Sequence, residues 1–285
     1  MTWLSQLLAK TGIKSPLTSR QSRVPAGLWT KCDGCGANML AEKFMSNLNV
    51  CESCDHHHPM KVVDRIRVIM DDKFGYVNLA LPPDDPINFV DSKPYKQRLK
   101  EARDKCSFND SFAIVEGSIF NMPVVAIFMD FEFIGGSMGI ALGDSIVKAA
   151  QLAVERRIPL IIFTSSGGAR MQEGLFSLMQ MPRTVIAIEK VKSMGLAYIA
   201  VLLHPTTGGV LASFASRASF TIAEPGAIIG FTGQRVIKDT LGIKLPKGFQ
   251  SSEFVQQKGF IDQVVPRREI KETLGKILDI INLGK

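Results

Sequence analysis

Four cysteines carry the clearest chemistry in the chain. Cys32-Asp-Gly-Cys35 and Cys51-Glu-Ser-Cys54 are separated by fifteen residues. Each two-residue gap forms a tight turn that aims both thiolates at one point, and two such pairs at this interval make a zinc-ribbon spacing. Gly34 and Gly36 ease the first turn. Four thiolates complete a tetrahedron and leave no open position, so one structural zinc per chain is expected, on Cys32, Cys35, Cys51 and Cys54. The alternative is two disulfides, which suits an oxidising compartment and leaves Cys106 over. His56, His57 and His58 adjoin the last pair; with four cysteines already present they read as surface residues, and Cys106 as a buried or incidental thiol.

Backbone chemistry is the second signal. Gly135-Gly136, Gly167-Gly168 and Gly208-Gly209 each follow a predicted strand, and the last two precede predicted helices. Such pairs leave N–H groups exposed at helix N-termini, where negative charge is favoured. Preorganised donors of this kind suit an oxyanion such as a thioester enolate. Side-chain catalysis has few candidates. His204, the one histidine outside the cysteine module, precedes a proline and reads as a turn residue. Ser165 and Ser166 lie before glycines but sit in no Gly-x-Ser-x-Gly elbow and have no evident Asp/His pair, and no Walker-type phosphate loop occurs.

The elements that must position these groups follow from periodicity. Ser111 to Phe120 and Pro123 to Phe133 read as strands joined at Asn121-Met122. Asp144 to Arg157 reads as a helix capped by Asp144 or Ser145, with Ile146, Ala149, Ala150 and Ala153 inward. Leu160 to Thr164 is a buried strand, Met171 to Lys192 a long helix, and Leu196 to Leu203 the next strand. Ser219 to Ala223 and Ile228 to Phe231 follow, then helices near Val236–Leu241 and Arg267–Ile281. Alternating strands and helices imply an α/β body with stacked sheets and crossover helices. The expected organisation is a basic arm (1–30), a four-cysteine ribbon (31–58), a helix with the proline-rich connector Leu81 to Pro86 (59–91), and the body (92–285).

At 46% apolar and 21% charged, the chain has globular rather than disordered composition. Its longest apolar run, Leu196 to Leu203, is too short to span a bilayer. No secretory signal is read at the start, so a cytoplasmic protein is expected. Residues 1–31 carry Lys10, Lys14, Arg20, Arg23 and Lys31 without an acid. That arm suits an anionic partner, nucleic acid included, or is a solvated tail.

Longer blocks carry a family resemblance. Phe131 to Gly139, Ser165-Ser-Gly-Gly-Ala-Arg-Met-Gln-Glu-Gly174, Pro205 to Val210 and Gly230 to Ile237 together resemble biotin-dependent acyl-CoA carboxyltransferases. Trp29-Thr-Lys-Cys32 and Asn47-Leu-Asn-Val-Cys51 narrow the likeness to the β-subunit type of bacterial acetyl-CoA carboxylase, over nearly the whole length. The resemblance implies a crotonase-like (ClpP/crotonase) fold of repeated strand-strand-helix units behind an N-terminal zinc ribbon. It implies carboxyl transfer from carboxybiotin, held on a biotin carboxyl carrier protein, to acetyl-CoA, giving malonyl-CoA for fatty-acid synthesis. The implied partners are an α subunit in an α2β2 assembly, which is needed for activity, and biotin carboxylase in the wider complex. A subunit of another acyl-CoA carboxyltransferase or decarboxylase is the alternative. Gly208 and Gly209 are the first candidates to hold the enolate oxygen, with Gly167, Gly168 and Ala169 second. Gly135 and Gly136 are expected at the substrate, and Arg170 and Arg235 either meet CoA phosphates or form ion pairs. The ribbon is read as a lid or protein contact, with nucleic-acid binding as a second role.

Overall fold

The computed structural model describes residues 28–242 and 245–283. Nearly all of the basic arm lies outside them. The ribbon begins with a two-stranded hairpin, β1 (Trp29–Lys31) against β2 (Asn38–Leu40), followed by the short helix α1 (Ala41–Ser46). Helix α2 (Val62–Ile69) and strand β3 (Gly75–Tyr76) lead to α3 (Tyr95–Lys105). The body then alternates β4 (Phe112–Ile119), β5 (Met122–Met129), α4 (Ile140–Arg156), β6 (Leu160–Ser166), α5 (Leu175–Ser193), β7 (Tyr198–Thr207) and the single-turn α6 (Gly208–Leu211). Strands β8 (Phe220–Ala223) and β9 (Ile229–Gly230), helices α7 (Gln234–Leu241) and α8 (Ser252–Gln257), strand β10 (Gln263–Val264) and helix α9 (Ile270–Leu283) complete it.

Strand pairing joins β10-β8-β7-β6-β5-β4-β3 in that order into one sheet, with β9 added beyond the main path on β7. The body is thus built on one eight-stranded sheet where stacked sheets were expected. Its centre, β5 to β8, is parallel, and β3-β4-β5 is antiparallel. Parallel strands need crossovers; the crossover helices α4 and α5 cover one face of the sheet, and α2 and α9 cover the other. Alternation along β5 divides the core. Val125, Ile127 and Met129 pack with Leu142, Ile146, Ala149 and Ala153 of α4 and with Ile188 and Val191 of α5. Val124, Ala126 and Phe128 face the other way, towards Ile66 and Ile69 of α2 and Leu274 and Leu278 of α9.

Most expected elements are present, with instructive differences at their ends. Helix α4 starts at Ile140, not at Asp144, because the Glu173 carboxylate accepts the Ile140 N–H at 2.6 Å. That cap comes from 33 residues away. Helix α5 starts at Leu175 because Gly174 sits at φ 54°, ψ −131° and interrupts the helix expected from Met171. Strand β7 runs on to Thr207, since β9 offers Thr206 and Thr207 new partners. His204 therefore lies within a strand rather than a turn. The connector is less exposed than expected: Val77, Leu79 and Leu81 pack on the core, and the buried Asp85 accepts the Phe89 N–H at 2.8 Å.

Candidate active site and metal centre

Both cysteine turns of the ribbon fold alike. The Gly36 N–H donates to Cys32 O at 2.9 Å, and the Asp55 N–H to Cys51 O at 2.9 Å. Each closes a loop that presents two sulfurs on one side. Ligand atoms of Cys32, Cys35, Cys51 and Cys54 all lie within 4.8 Å of one another, with Sγ–Sγ separations of 3.7 Å (Cys32–Cys54) and 3.8 Å (Cys35–Cys51). Thiolates at about 2.3 Å from a tetrahedral zinc are about 3.8 Å apart, whereas a disulfide needs about 2.05 Å. The donor set fits zinc and excludes the disulfide alternative. Gly34 is required here, because a Cβ would come within 2.9 Å of the His56 Cβ.

The ribbon is bolted to the body. Arg267 donates through Nη1 to the carbonyls of Leu48 (2.7 Å) and His58 (2.9 Å), and through Nε and Nη2 to Glu224 (2.8 and 2.7 Å). Arg65 reaches the same carboxylate at 2.7 Å. Burial pushes the Glu224 carboxyl up, but Arg65 and Arg267 outweigh it and hold the group down at about 2. Only His56 of the three histidines is exposed. His58 is buried, and His57 Nε2 accepts the Arg267 N–H at 3.1 Å. The expectation of three surface histidines is corrected for these two, because they form the seam between ribbon and body. A cavity of about 240 Å³ lies in this seam, lined among others by His57, Met60, Arg65, Phe131, Ser165 and Pro205.

The sheet brings the three glycine pairs together. Strands β6 and β7 run parallel and place Ser166 opposite Thr206, so Gly167-Gly168 and Gly208-Gly209 leave the sheet side by side. Gly208 (φ 60°) would bring a Cβ to 3.1 Å from Gly168 Cα, and Gly168 (φ 117°) one to 3.3 Å from Gly208 Cα. Gly136 (φ 60°) touches the same place, where a Cβ would meet Ser165 O at 2.0 Å. Gly136→Ala, mild if this pair were only a turn, is therefore disruptive.

The amides divide into two groups. The Gly208 N–H donates to Phe231 O (2.9 Å), the Gly167 N–H to Gly135 O (2.9 Å) and the Gly168 N–H to Ser166 Oγ (3.0 Å). These three candidates are occupied and shape the site rather than donate to a ligand. Gly209 and Ala169 are different: neither amide has an acceptor among the described residues. A Cβ on Gly209 would lie 3.6 Å from the Ala169 nitrogen, so the two N–H groups are neighbours. Helix α6 has one turn only, so donation here rests on two fixed amides and not on a helix dipole. No sequence signal separates free from occupied amides, since Phe231 and Gly135 are distant acceptors.

Arg170 is a correction. It is 1% exposed, paired with Asp110 at 2.7 Å and Glu173 at 3.4 Å, and cannot meet a CoA phosphate. Arg235 falls on α7. Gly135 has open space where a Cβ would be but needs its φ of 65°. Burial pushes the Cys106 thiol up to about 11, which makes it a poor nucleophile. His204 Nδ1 accepts the Ile228 N–H at 3.2 Å and is not free as a base.

Comparison with known proteins adds an independent finding. Residues 79–252 match the Carboxyl transferase domain family, and residues 29–54 the Acetyl-CoA carboxylase zinc finger domain. Over 284 residues the chain is 45% identical to the acetyl-coenzyme A carboxylase carboxyl transferase subunit beta of Granulibacter bethesdensis, covering 100% of this chain and 92% of the relative. It is 44% identical to the protein of the same name from Gluconacetobacter diazotrophicus, covering 99% and 93%. Among solved structures it resembles transcarboxylase 12S, with TM-score 0.63, 24% identity, and 83% and 42% of the two chains covered. It also resembles a Pseudomonas malonate decarboxylase hetero-tetramer, with TM-score 0.60, 21% identity, and 78% and 82% covered.

Proposed function

Since the chain belongs to the carboxyl transferase family, as the β-subunit type of acetyl-coenzyme A carboxylase, we propose that it builds the acyl-CoA-holding half of an active site shared with an α subunit. It is a biotin-dependent carboxyltransferase with a crotonase-like body and an N-terminal zinc ribbon. The reaction moves a carboxyl group onto acetyl-CoA to give malonyl-CoA.

The observation that carries the site assignment is the adjacent, unoccupied amide pair of Ala169 and Gly209 at the ends of β6 and β7. When a proton leaves the acetyl methyl group, charge moves onto the thioester oxygen. Two fixed N–H groups stabilise that oxygen without reorganising. Biotin, on its carrier protein, supplies the carboxyl group when bound. Gly208, Gly168 and Gly136 let three loops close to backbone contact, which keeps the two amides beside each other.

The partners follow as part of the reading: an α subunit in an α2β2 assembly, the biotin carboxyl carrier protein, and biotin carboxylase in the wider complex. A cytoplasmic location fits them. Among the described residues no helix is long and apolar enough to cross a membrane. A ribbon fastened over a cavity supports a lid or protein contact. Nearly all of the arm that motivated nucleic-acid binding lies outside the described residues.

Reconstitution tests this. The purified chain alone is expected to turn over no malonyl-CoA with free biotin, and the chain with its α subunit to do so. Acetyl-CoA should be preferred to propionyl-CoA in the forward direction. Turnover by the isolated chain, free of partner, would overturn the shared site. Equal use of both acyl-CoAs would point to another carboxyltransferase.

The metal is tested separately. One zinc per chain is expected, and Cys51→Ser should remove it, because Cys51 is fully buried and supplies one of only four ligands. Full zinc content in that variant would show the ligand set to be wrong.

A further inference from the structure

Arg170 is one of the largest fully buried side chains in the protein, and its hydrogen bonds reach four separate segments. Nε donates to Ser137 Oγ (3.1 Å). Nη1 donates to Tyr95 Oη (3.2 Å), Asp110 Oδ2 (3.0 Å) and Glu173 Oε1 (3.4 Å). Nη2 donates to Asp110 Oδ1 (2.7 Å), Ser111 Oγ (3.2 Å) and Ser137 O (2.8 Å). The guanidinium also lies over the Phe133 ring, 5.4 Å from its centre. A planar fork can hold so many acceptors at once; an ammonium cannot.

Two of these contacts fall on the loop that carries Gly135-Gly136. Ser137 follows Gly136, the residue in backbone contact with Ser165. The backbone repeats the connection: the Met138 N–H donates to Gly168 O (2.8 Å) and the Arg170 N–H to Met138 O (2.9 Å). This rung flanks Ala169 on both sides. The side chain and main chain of Arg170 therefore clamp one glycine loop to the other, with Ala169 between the clamped points.

We propose that Arg170 is a positioning residue for the oxyanion site, holding the Phe133–Met138 loop against Gly168–Arg170 so that the Ala169 amide stays in register with Gly209. It touches no substrate. The proposal rests on the reading of Ala169 and Gly209 as the oxyanion donors. Tyr95 and Glu173 complete the clamp from behind: the Tyr95 hydroxyl donates to Glu173 Oε1 at 2.7 Å, and Glu173 Oε2 caps α4 at Ile140.

The test uses the complex reconstituted with the α subunit. Arg170→Lys keeps the charge and loses the fork. Its kcat should fall by about thirtyfold or more, as small misplacements of catalytic groups do. The KM for acetyl-CoA and the Kd for plain CoA should stay within about threefold. Combined with Gly209→Ala it should lose little more than the worse single variant, because both act on one amide pair. A residue that served folding alone would leave kcat per folded site unchanged and its losses would add; either result overturns the proposal. Should Arg170→Lys fail to fold, Ser137→Ala removes the Nε acceptor while leaving Asp110 and Glu173 paired. It should lower kcat about threefold to tenfold with KM unmoved, as loss of a single hydrogen bond does. An unchanged kcat there overturns the proposal too. The underlying reading is judged by Gly209→Val alone. If that variant is crippled and Arg170→Lys is not, only the positioning role falls.

Discussion

Gly209→Val should lower kcat of the assembled complex by about 100-fold or more, the usual cost of losing an oxyanion donor. Gly209 does not need a positive φ, so the backbone accepts a side chain. The difficulty is space. A Cβ already comes to 3.1 Å from Met181 Sδ and 3.6 Å from the Ala169 nitrogen, so the further methyl groups of valine crowd the proposed donor pair. Binding of plain CoA should change far less, because CoA lacks the reacting carbonyl. Zinc content and assembly with the α subunit should be unchanged. The neighbouring Gly208 is a useful contrast. It has φ 60° and a Gly168 Cα 3.1 Å from its Cβ position, so Gly208→Val should damage folding as well as turnover. Kinetics on the assembled enzyme decide the matter: near-normal kcat in Gly209→Val rules out this amide as a donor.

Glu224→Gln should destabilise the protein by about 3–5 kcal/mol, the range for breaking a buried ion pair. The carboxylate is 2% exposed and lies between Arg65 and Arg267, 6% and 4% exposed. An amide leaves two buried guanidinium groups facing each other without their counter-charge. Arg267 also holds the carbonyls of Leu48 and His58, so the ribbon should loosen from the body while zinc remains bound. Ribbon and body are joined here through a shared polar seam, and damage to one is transmitted to the other. The pH dependence has a definite sign. The folded-state carboxyl titrates at about 2, below the ordinary value of about 4.3. Its contribution is complete above pH 4.3 and is lost as pH falls from there through 2. The stability gap between the native protein and Glu224→Gln should therefore close over that acid window. Thermal unfolding followed across pH 2–6 measures it; a gap that stays constant would remove Glu224 as the titrating group.

Local chemistry was legible in the residues themselves. The Cys32–Cys35 and Cys51–Cys54 intervals specify four convergent sulfurs because each ligand turn closes within five residues, through bonds such as Gly36 N–H to Cys32 O. Strand and helix types in the body followed from alternation and from the Ile146, Ala149, Ala150 and Ala153 stripe, which is buried as expected. The sequence also located Gly167-Gly168 and Gly208-Gly209 at strand ends, whereas the strand expected to run to Phe133 stops at Met129 and leaves Gly135-Gly136 in a short 3-10 turn beyond it. What it could not specify was which amides remain free, because the acceptors that occupy Gly167 and Gly208 are decided by chain crossings, although that of Gly168, Ser166 Oγ, is local. Phe231 O reaches Gly208 only because β9 pairs with the end of β7. Arg170 shows the same division. From its position after Ala169 it reads as a phosphate ligand or a surface ion-pair residue, and only the arrival of Asp110, 60 residues away, makes it a buried clamp. The ribbon seam depends on Arg65, Glu224 and Arg267, which are 159 and 43 residues apart along the chain. Charge partners at that separation leave no periodic trace, since burial, not spacing, selects them.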